Sequence, residues 1–235
     1  MIHKRQTLIG GWDQKSVSNR KVAVIAEGAS ESAATIGCAR IGIGSLVVVD
    51  YDILQEHNLE NQAYTEKHLG MLKVEAIKEI IREIDPKIEV IAYAKRVEEL
   101  TNEELKADVF LSGLDAIAPR FYVNWKAVQQ GVPLIDVGIE GFEGTIRTVI
   151  PGKTPCLECH PALMPESKIK HGCSEDPIPS TYITAQIGAA IQVMQLIKII
   201  HGWEVEPYIC FNLMTGKSNV VKIKRNPDCP LCGGI

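Results

Sequence analysis

At 235 residues, 46% of them apolar and 23% charged, the chain has the composition of a soluble globular protein and the length for one α/β domain with a full core. A net charge of −4 argues against a nucleic-acid partner, so any acidic ligand needs local positive charge. No apolar stretch is expected to match the ~20 residues of a membrane span, and MIHKRQTLIGG lacks the apolar core of a signal peptide. The reading at this point is a cytoplasmic protein with no membrane partner.

Strand-like and helix-like runs alternate from residue 21 to about 140. KVAVIA, SLVVVD, IEVIAYA, ADVFLSG and VPLIDVG are short, β-branched and almost wholly apolar, as strands buried on both faces are. Between them, HLGMLKVEAIKEIIREID carries Leu69, Leu72, Ala76, Ile77, Ile80 and Ile84 along one stripe, with charges opposite. Such alternation predicts a doubly wound, mainly parallel sheet of the Rossmann-like kind. The first turn is odd: VAVIAEGASESAATI has the strand, loop and small-residue helix of a phosphate-binding unit, yet its loop holds one glycine and two glutamates.

Beyond residue 140 the pattern changes. GTIRTVIPG reads as a strand ending in a turn, and residues 160–180 as a long loop rich in Pro, Ser and charge, a lid or crossover. STYITAQIGAAIQVMQLIKIIHG is an apolar helix with Ser180 as N-cap and Gly202 as its stop. YICFNL and NVVKIK predict two final strands, an antiparallel C-terminal extension. The expected organisation is one domain over 1–235: an arm (1–20), a nucleotide-binding half (21–140) and a C-terminal part (141–235) with a crossover at 160–180.

Seven cysteines is an odd number for a disulfide scaffold, and four form two C-x-x-C pairs, CLEC and CPLC. Cys156, Cys159, Cys229 and Cys232 supply four thiolates for a closed tetrahedral zinc shell, which leaves no position for water and is therefore structural. Cys38 and Cys210 sit in apolar patterns and read as core residues.

Taken in order, several motifs resemble the E1-like superfamily of ThiF, MoeB and the enzymes that activate ubiquitin-like proteins. RQTLIGGWDQ is similar to its N-terminal arm, GIGSLVVVDYD to the second strand with its ribose-binding acid, and NLENQ to N-L-N-R-Q. GMLKVEA matches G-x-x-K-x-x-A, LDAIAPRFYVN matches D-N-x-x-x-R-x-x-x-N, and the zinc knuckles bracket the C-terminal third. The resemblance implies a homodimeric, Mg·ATP-dependent adenylyltransferase that turns a carboxylate into an acyl-adenylate and releases pyrophosphate. Its substrate would be the C-terminal glycine of a ubiquitin-like or sulfur-carrier protein. A small-molecule carboxylate is the other possibility, as in the HcgE type that serves the guanylylpyridinol cofactor of [Fe]-hydrogenase.

The same resemblance distributes roles, each with a plainer competitor. Asp50 would hold the ribose, or is a strand-end acid. Lys73 would contact the phosphates as a point charge, or is a solvated surface lysine. Asp115 would hold Mg²⁺, or caps the helix beginning near Ile117. Arg5 would reach the partner's γ-phosphate, or is a mobile surface arginine. Gly28, Asn58, Asn61 and Gln62 would line the phosphate pocket, and Arg120 and Asn124 contact ligand or tie their helix to nearby loops. Cys173 would be an acyl- or sulfur-accepting thiol activated by Lys168, Lys170 and His171, or a spectator.

Two departures weaken the resemblance. Where the family has G-x-G-G-x-G, this chain has Ala26, Glu27, Gly28, Ala29, Ser30 and Glu31, and alanine fits the turn only if its φ stays negative. Glu31 must turn away from a phosphate, be neutralised, or displace it. Asn61 stands where the family has arginine, so a charge-assisted contact is lost. A catalytically inactive scaffold that binds a nucleotide or a protein is the alternative reading. A dehydrogenase is a third, which leaves Lys73 and Asp115 without a purpose.

Overall fold

The computed structural model describes residues 3–163 and 178–234. Eight strands form one sheet in the order β3-β2-β1-β4-β5-β6-β7-β8. They are β1 (Lys21–Ile25), β2 (Ser45–Val49), β3 (Glu89–Tyr93), β4 (Val109–Ser112), β5 (Leu134–Glu140), β6 (Glu143–Val149), β7 (Tyr208–Asn212) and β8 (Lys217–Val220). Pairing is parallel from β3 to β5 and antiparallel from β5 to β8, as the pattern predicts. Only β8 is displaced: it begins two residues before the predicted NVVKIK run and ends after Val220, because KSNV pairs with YICFN across a tight turn.

The helices are α1 (Gln14–Ser18), α2 (Ala29–Ile41), α3 (Lys73–Ile84), α4 (Ile117–Gln130) and α5 (Tyr182–His201). α2, α3 and α5 cover one face of the sheet around Val24, Val48, Leu111 and Ile146. α4 covers the other, where Phe110, Val123 and Leu134 pack beside the four zinc-knuckle cysteines. α5 is capped by the Thr181 hydroxyl, one residue later than predicted, because Ser180 is engaged in a bridge to Gly141. In length and mean hydropathy (1.5) α5 matches a membrane span, contrary to the sequence expectation, but half of it is buried inside this fold. Its apolar character is that of a central helix lying on α2 and on the sheet.

Two features place the functional site. The chain runs from β1 outward to β2 and β3, then returns to the other side of β1 as β4, so the C-terminal ends of β1 and β4 flank a topological switch point. In addition, β5 continues four residues beyond its last pairing with β4, Ser112 to Asp136. The β5–β6 hairpin therefore stands about 13 Å above the sheet edge as a wall beside that crevice.

Candidate functional site

The turn after β1 opens the crevice. Ala26 adopts φ +72°, the left-handed region, and is the sole described non-glycine residue to do so. The condition under which alanine fits this turn without strain, a negative φ, is thus not met. The turn that glycine normally allows is retained, at a cost of roughly 1–2 kcal/mol from the Cβ. Gly28 is the N-cap of α2, and a Cβ there would meet nothing within 4 Å, so the loop backbone faces open space.

Both loop glutamates are buried and neither faces that space. The Glu27 carboxylate accepts from Thr35 Oγ1 at 2.9 Å, one face inward along α2. Burial, reinforced by Asp50 and Glu31, raises its pKa well above the ordinary value. Glu31 runs between α2 and the sheet so closely that a Cβ at Gly113 would lie 2.0 Å from its Oε2. Burial, with Asp136 and Asp115 nearby, holds it well above its ordinary pKa as well. Of the options open to Glu31, it has turned inward, where burial disfavours its charge, and the glycine at 113 supplies the room.

Beyond the loop, Asp50 ends β2. Its Oδ2 accepts from the Glu27 N–H at 2.7 Å and its Oδ1 from the Asp52 N–H at 2.7 Å. Each oxygen retains a second lone pair, enough for two hydroxyls. Lys73 opens α3 and is 6% exposed, not a solvated lysine on the polar face. Its Nζ lies 2.8 Å from Asp52 Oδ2 and 4.0 Å from Asp50 Oδ2. The crevice thus has a fixed cation, held by two carboxylates, beside the loop. Desolvation raises the Asp50 pKa and Lys73 opposes that shift.

Asp115 is exposed at the same edge, just after β4. Ala116 is the N-cap of α4 and makes no side-chain cap hydrogen bond. Arg120 is spent inward: it forms a two-pronged ion pair with Asp136, Nε to Oδ1 at 3.1 Å and an Nη2 contact to Oδ2. Asn124 Oδ1 accepts from the Leu157 N–H at 3.1 Å, tying α4 to the first zinc knuckle. For these two residues the structural reading holds.

Asn58 Oδ1 caps its own short 3-10 turn at Gln55 N–H, and Gln62 Oε1 is buried without a partner. Asn61 Nδ2 donates to Ser180 Oγ at 2.8 Å. Arg5 is exposed on an arm whose Gln6 donates to the Ile41 carbonyl, at the C-terminal end of α2. α2 has 13 residues, so Arg5 is separated from its own phosphate loop by a helix about 20 Å long. Cys173, Lys168, Lys170 and His171 lie outside the described residues.

The cysteine cluster is separate from this crevice. Sγ–Sγ distances are 3.9 Å for Cys156–Cys159, 3.6 Å for Cys156–Cys229 and 3.4 Å for Cys159–Cys232, and all four sulfurs lie within 4.8 Å of one another. Tetrahedral Zn–S bonds of ~2.3 Å require sulfurs about 3.8 Å apart, so the set fits zinc. The Asn226 N–H points at Cys159 Sγ, 3.4 Å away, the kind of contact that stabilises a thiolate. Cys38 is core as expected; Cys210 is half-exposed, because its strand lies near the open edge of the sheet.

Comparison with known proteins decides the family. A model of the ThiF family matches residues 3–231. The chain belongs to the ThiF family. Its relatives include the SAMP-activating enzyme E1 of Haloferax volcanii, 27% identical over 96% of this chain and 84% of that protein. The sulfur carrier protein ThiS adenylyltransferase of Bacillus subtilis is 29% identical over 98% and 71%. The molybdopterin-synthase adenylyltransferase of Escherichia coli is 27% identical over 98% and 95%. Among solved structures, E. coli MccB with ATP superposes at a TM-score of 0.81 and 24% identity, over 94% of this chain and 68% of MccB. This ThiF-family protein is an E1-like adenylyltransferase, and its eight-stranded sheet with an antiparallel end is the architecture of those neighbours.

Proposed function

We propose that the protein uses Mg·ATP to convert a substrate carboxylate into an acyl-adenylate, with pyrophosphate as the leaving group. One observation carries the reading: buried Lys73, fixed by Asp50 and Asp52, beside an open left-handed loop at the switch point of a ThiF-family sheet. Attack of a carboxylate on the α-phosphate brings two anions together and builds charge on pyrophosphate, so the chemistry needs positioning and cations. Lys73 meets the phosphates, Asp50 the ribose hydroxyls, and Gly28 gives the backbone room for close approach. Asp115 would hold Mg²⁺, whose preference for oxygen ligands suits an exposed carboxylate and phosphates. When bound, the metal neutralises triphosphate charge. The Cys₄ set would hold zinc for structure only.

Because Arg120 is committed to Asp136 and Asn61 to Ser180, the site is short of cations. The missing charge comes from Arg5 of a second subunit in a homodimer, since its own α2 separates it from its own loop. One relative is a sulfur carrier protein adenylyltransferase and another, from Caenorhabditis briggsae, a ubiquitin-like modifier-activating enzyme, which makes a carrier C-terminus the first substrate class. The altered loop and Asn61 favour a second class, a small-molecule carboxylate such as a cofactor precursor, because both depart from the carrier-activating pattern. A cytoplasmic setting suits either.

Calorimetric titration of Mg·ATP into zinc-loaded protein tests the reading. Micromolar binding is expected, falling roughly 10-fold or more in Lys73→Ala and in Asp115→Ala, the cost of a lost charged contact. A folded protein that binds no Mg·ATP would make the scaffold alternative correct.

A further inference from the structure

Asn61 and Ser180 are 119 residues apart, and the hydrogen bond between them ties two distant loops together. Asn61 lies in the loop after β2. Ser180 lies in the short extended segment before α5, and that segment is bonded to the tip of the β5–β6 hairpin: the Gly141 N–H donates to the Pro179 carbonyl at 2.6 Å, and Gly141 and Ser180 form a parallel bridge. The Thr184 hydroxyl donates to the Gly141 carbonyl at 2.8 Å, fixing the start of α5 to the same turn. This strap joins the loop after β2 to the tip of the β5–β6 hairpin, beside the phosphate loop. The Asn61 end is itself held down, since the neighbouring Ala63 N–H donates to Ser32 Oγ on α2 and Tyr64 Oη to the Glu27 carbonyl.

We infer that Asn61 and Ser180 form a clasp that closes a roof over the crevice, and that Asn61 is a positioning residue acting through Ser180, not a phosphate ligand. The inference deepens the adenylation reading and rests on it for the identity of what passes beneath. A residue with arginine's charge at 61 would serve a phosphate. Asparagine, whose amide is matched to a hydroxyl, serves the strap.

Two measurements separate this from its competitors. Hydrogen exchange of the nucleotide-free protein reads the clasp alone: Asn61→Ala and Ser180→Ala should each speed exchange at the Gly141 and Thr184 amides roughly 2- to 10-fold. The double variant should do no more than either single one, and Ser180→Thr, which keeps the hydroxyl, should restore protection. Stopped-flow binding of a fluorescent methylanthraniloyl-ATP with Mg²⁺ reads the gate. Opening a roof should raise association and dissociation rates together, in both single variants, with little change in Kd. If Asn61→Ala instead weakens Kd through dissociation alone while Ser180→Ala changes nothing, Asn61 is a phosphate ligand and the clasp is overturned. Unchanged exchange in both single variants also overturns it. A wild-type protein that fails to bind the nucleotide sinks the adenylation reading, and the exchange result still judges the clasp.

Discussion

Ala26 and Glu31 show how single side chains keep an altered phosphate loop in its old shape. Ala26 accepts a left-handed φ because its N–H is bonded to the Val49 carbonyl and the loop must turn between β1 and α2. Ala26→Gly should therefore stabilise the protein by about 1 kcal/mol, net of the extra freedom glycine gains in the unfolded chain. Urea denaturation would register this as a higher midpoint with an unchanged slope, and a lower midpoint would contradict the strain. Glu31 enters the core, where burial favours its protonated form. Gln192 spends its amide Nε2 on the Ser112 and Ile135 carbonyls, and both its Oε1 and Glu31 Oε1 are buried without a hydrogen-bond partner. The fold holds this proton after the unfolded chain has released its own above the ordinary value of 4.5, so Glu31 makes stability fall as pH rises from there. Glu31→Gln keeps a donor and removes that dependence. Its Tm should match wild type near pH 4.5 and exceed it at pH 8, by roughly 2–4 °C for each kcal/mol recovered. Scanning calorimetry at the two pH values checks this, and a Tm below wild type at pH 8 would mean the carboxylate is charged in the fold.

At the scale of elements, much was legible. β1, β2 and β4 are short β-branched runs buried on both faces, a pattern with few alternatives, whereas β3 lies half-exposed at the sheet edge. The four cysteines were equally plain, because thiol spacing survives without knowledge of the fold. What the sequence hid depends on contacts between distant residues. The destination of Glu31 is set by Gly113, 82 positions later, where the absence of a Cβ leaves room for a carboxylate. Lys73 read as a phosphate contact only through the resemblance, since its helical position places it among charges; its burial comes from the loop carrying Asp50 and Asp52. Asn61 resembled a weakened phosphate contact until Ser180 was seen beside it. In each case the residue type was correctly noticed and its partner was missing. The register of β8 is a simpler miss: its four residues are all exposed, so no apolar alternation marked its ends.

For the whole molecule, the proposed zinc and the proposed second subunit have testable consequences. The cysteine cluster joins the chain after Pro155 to its last residues, with Arg225 Nη1 bonded to the Gly152 carbonyl and His160 Nε2 to the Lys224 carbonyl alongside. Without metal, four crowded buried sulfurs gain little from one another, and burial raises the Cys156 pKa. Chelation that removes the zinc should lower Tm by several degrees and speed exchange at the Cys159 and Gly233 amides, while β1 and α2 stay protected. Zinc loss confirmed by atomic absorption with no shift in Tm would deny the site a structural role. The arm poses a stricter question. Gln6 and Gln14 both donate to the Ile41 carbonyl, which anchors Arg5 at the end of α2 remote from Gly28. If Arg5 serves the partner's phosphates, Arg5→Ala and Lys73→Ala damage different halves of a shared site. Mixed one to one and allowed to exchange subunits, half of the dimers become mixed. In each, the site that keeps its own Lys73 receives Arg5 from the Lys73→Ala chain, so about a quarter of all sites should regain Mg·ATP binding. Calorimetry on the mixture reads that fraction directly. Recovery near a quarter places Arg5 in trans, whereas a mixture no better than its two components leaves Arg5 outside the nucleotide site.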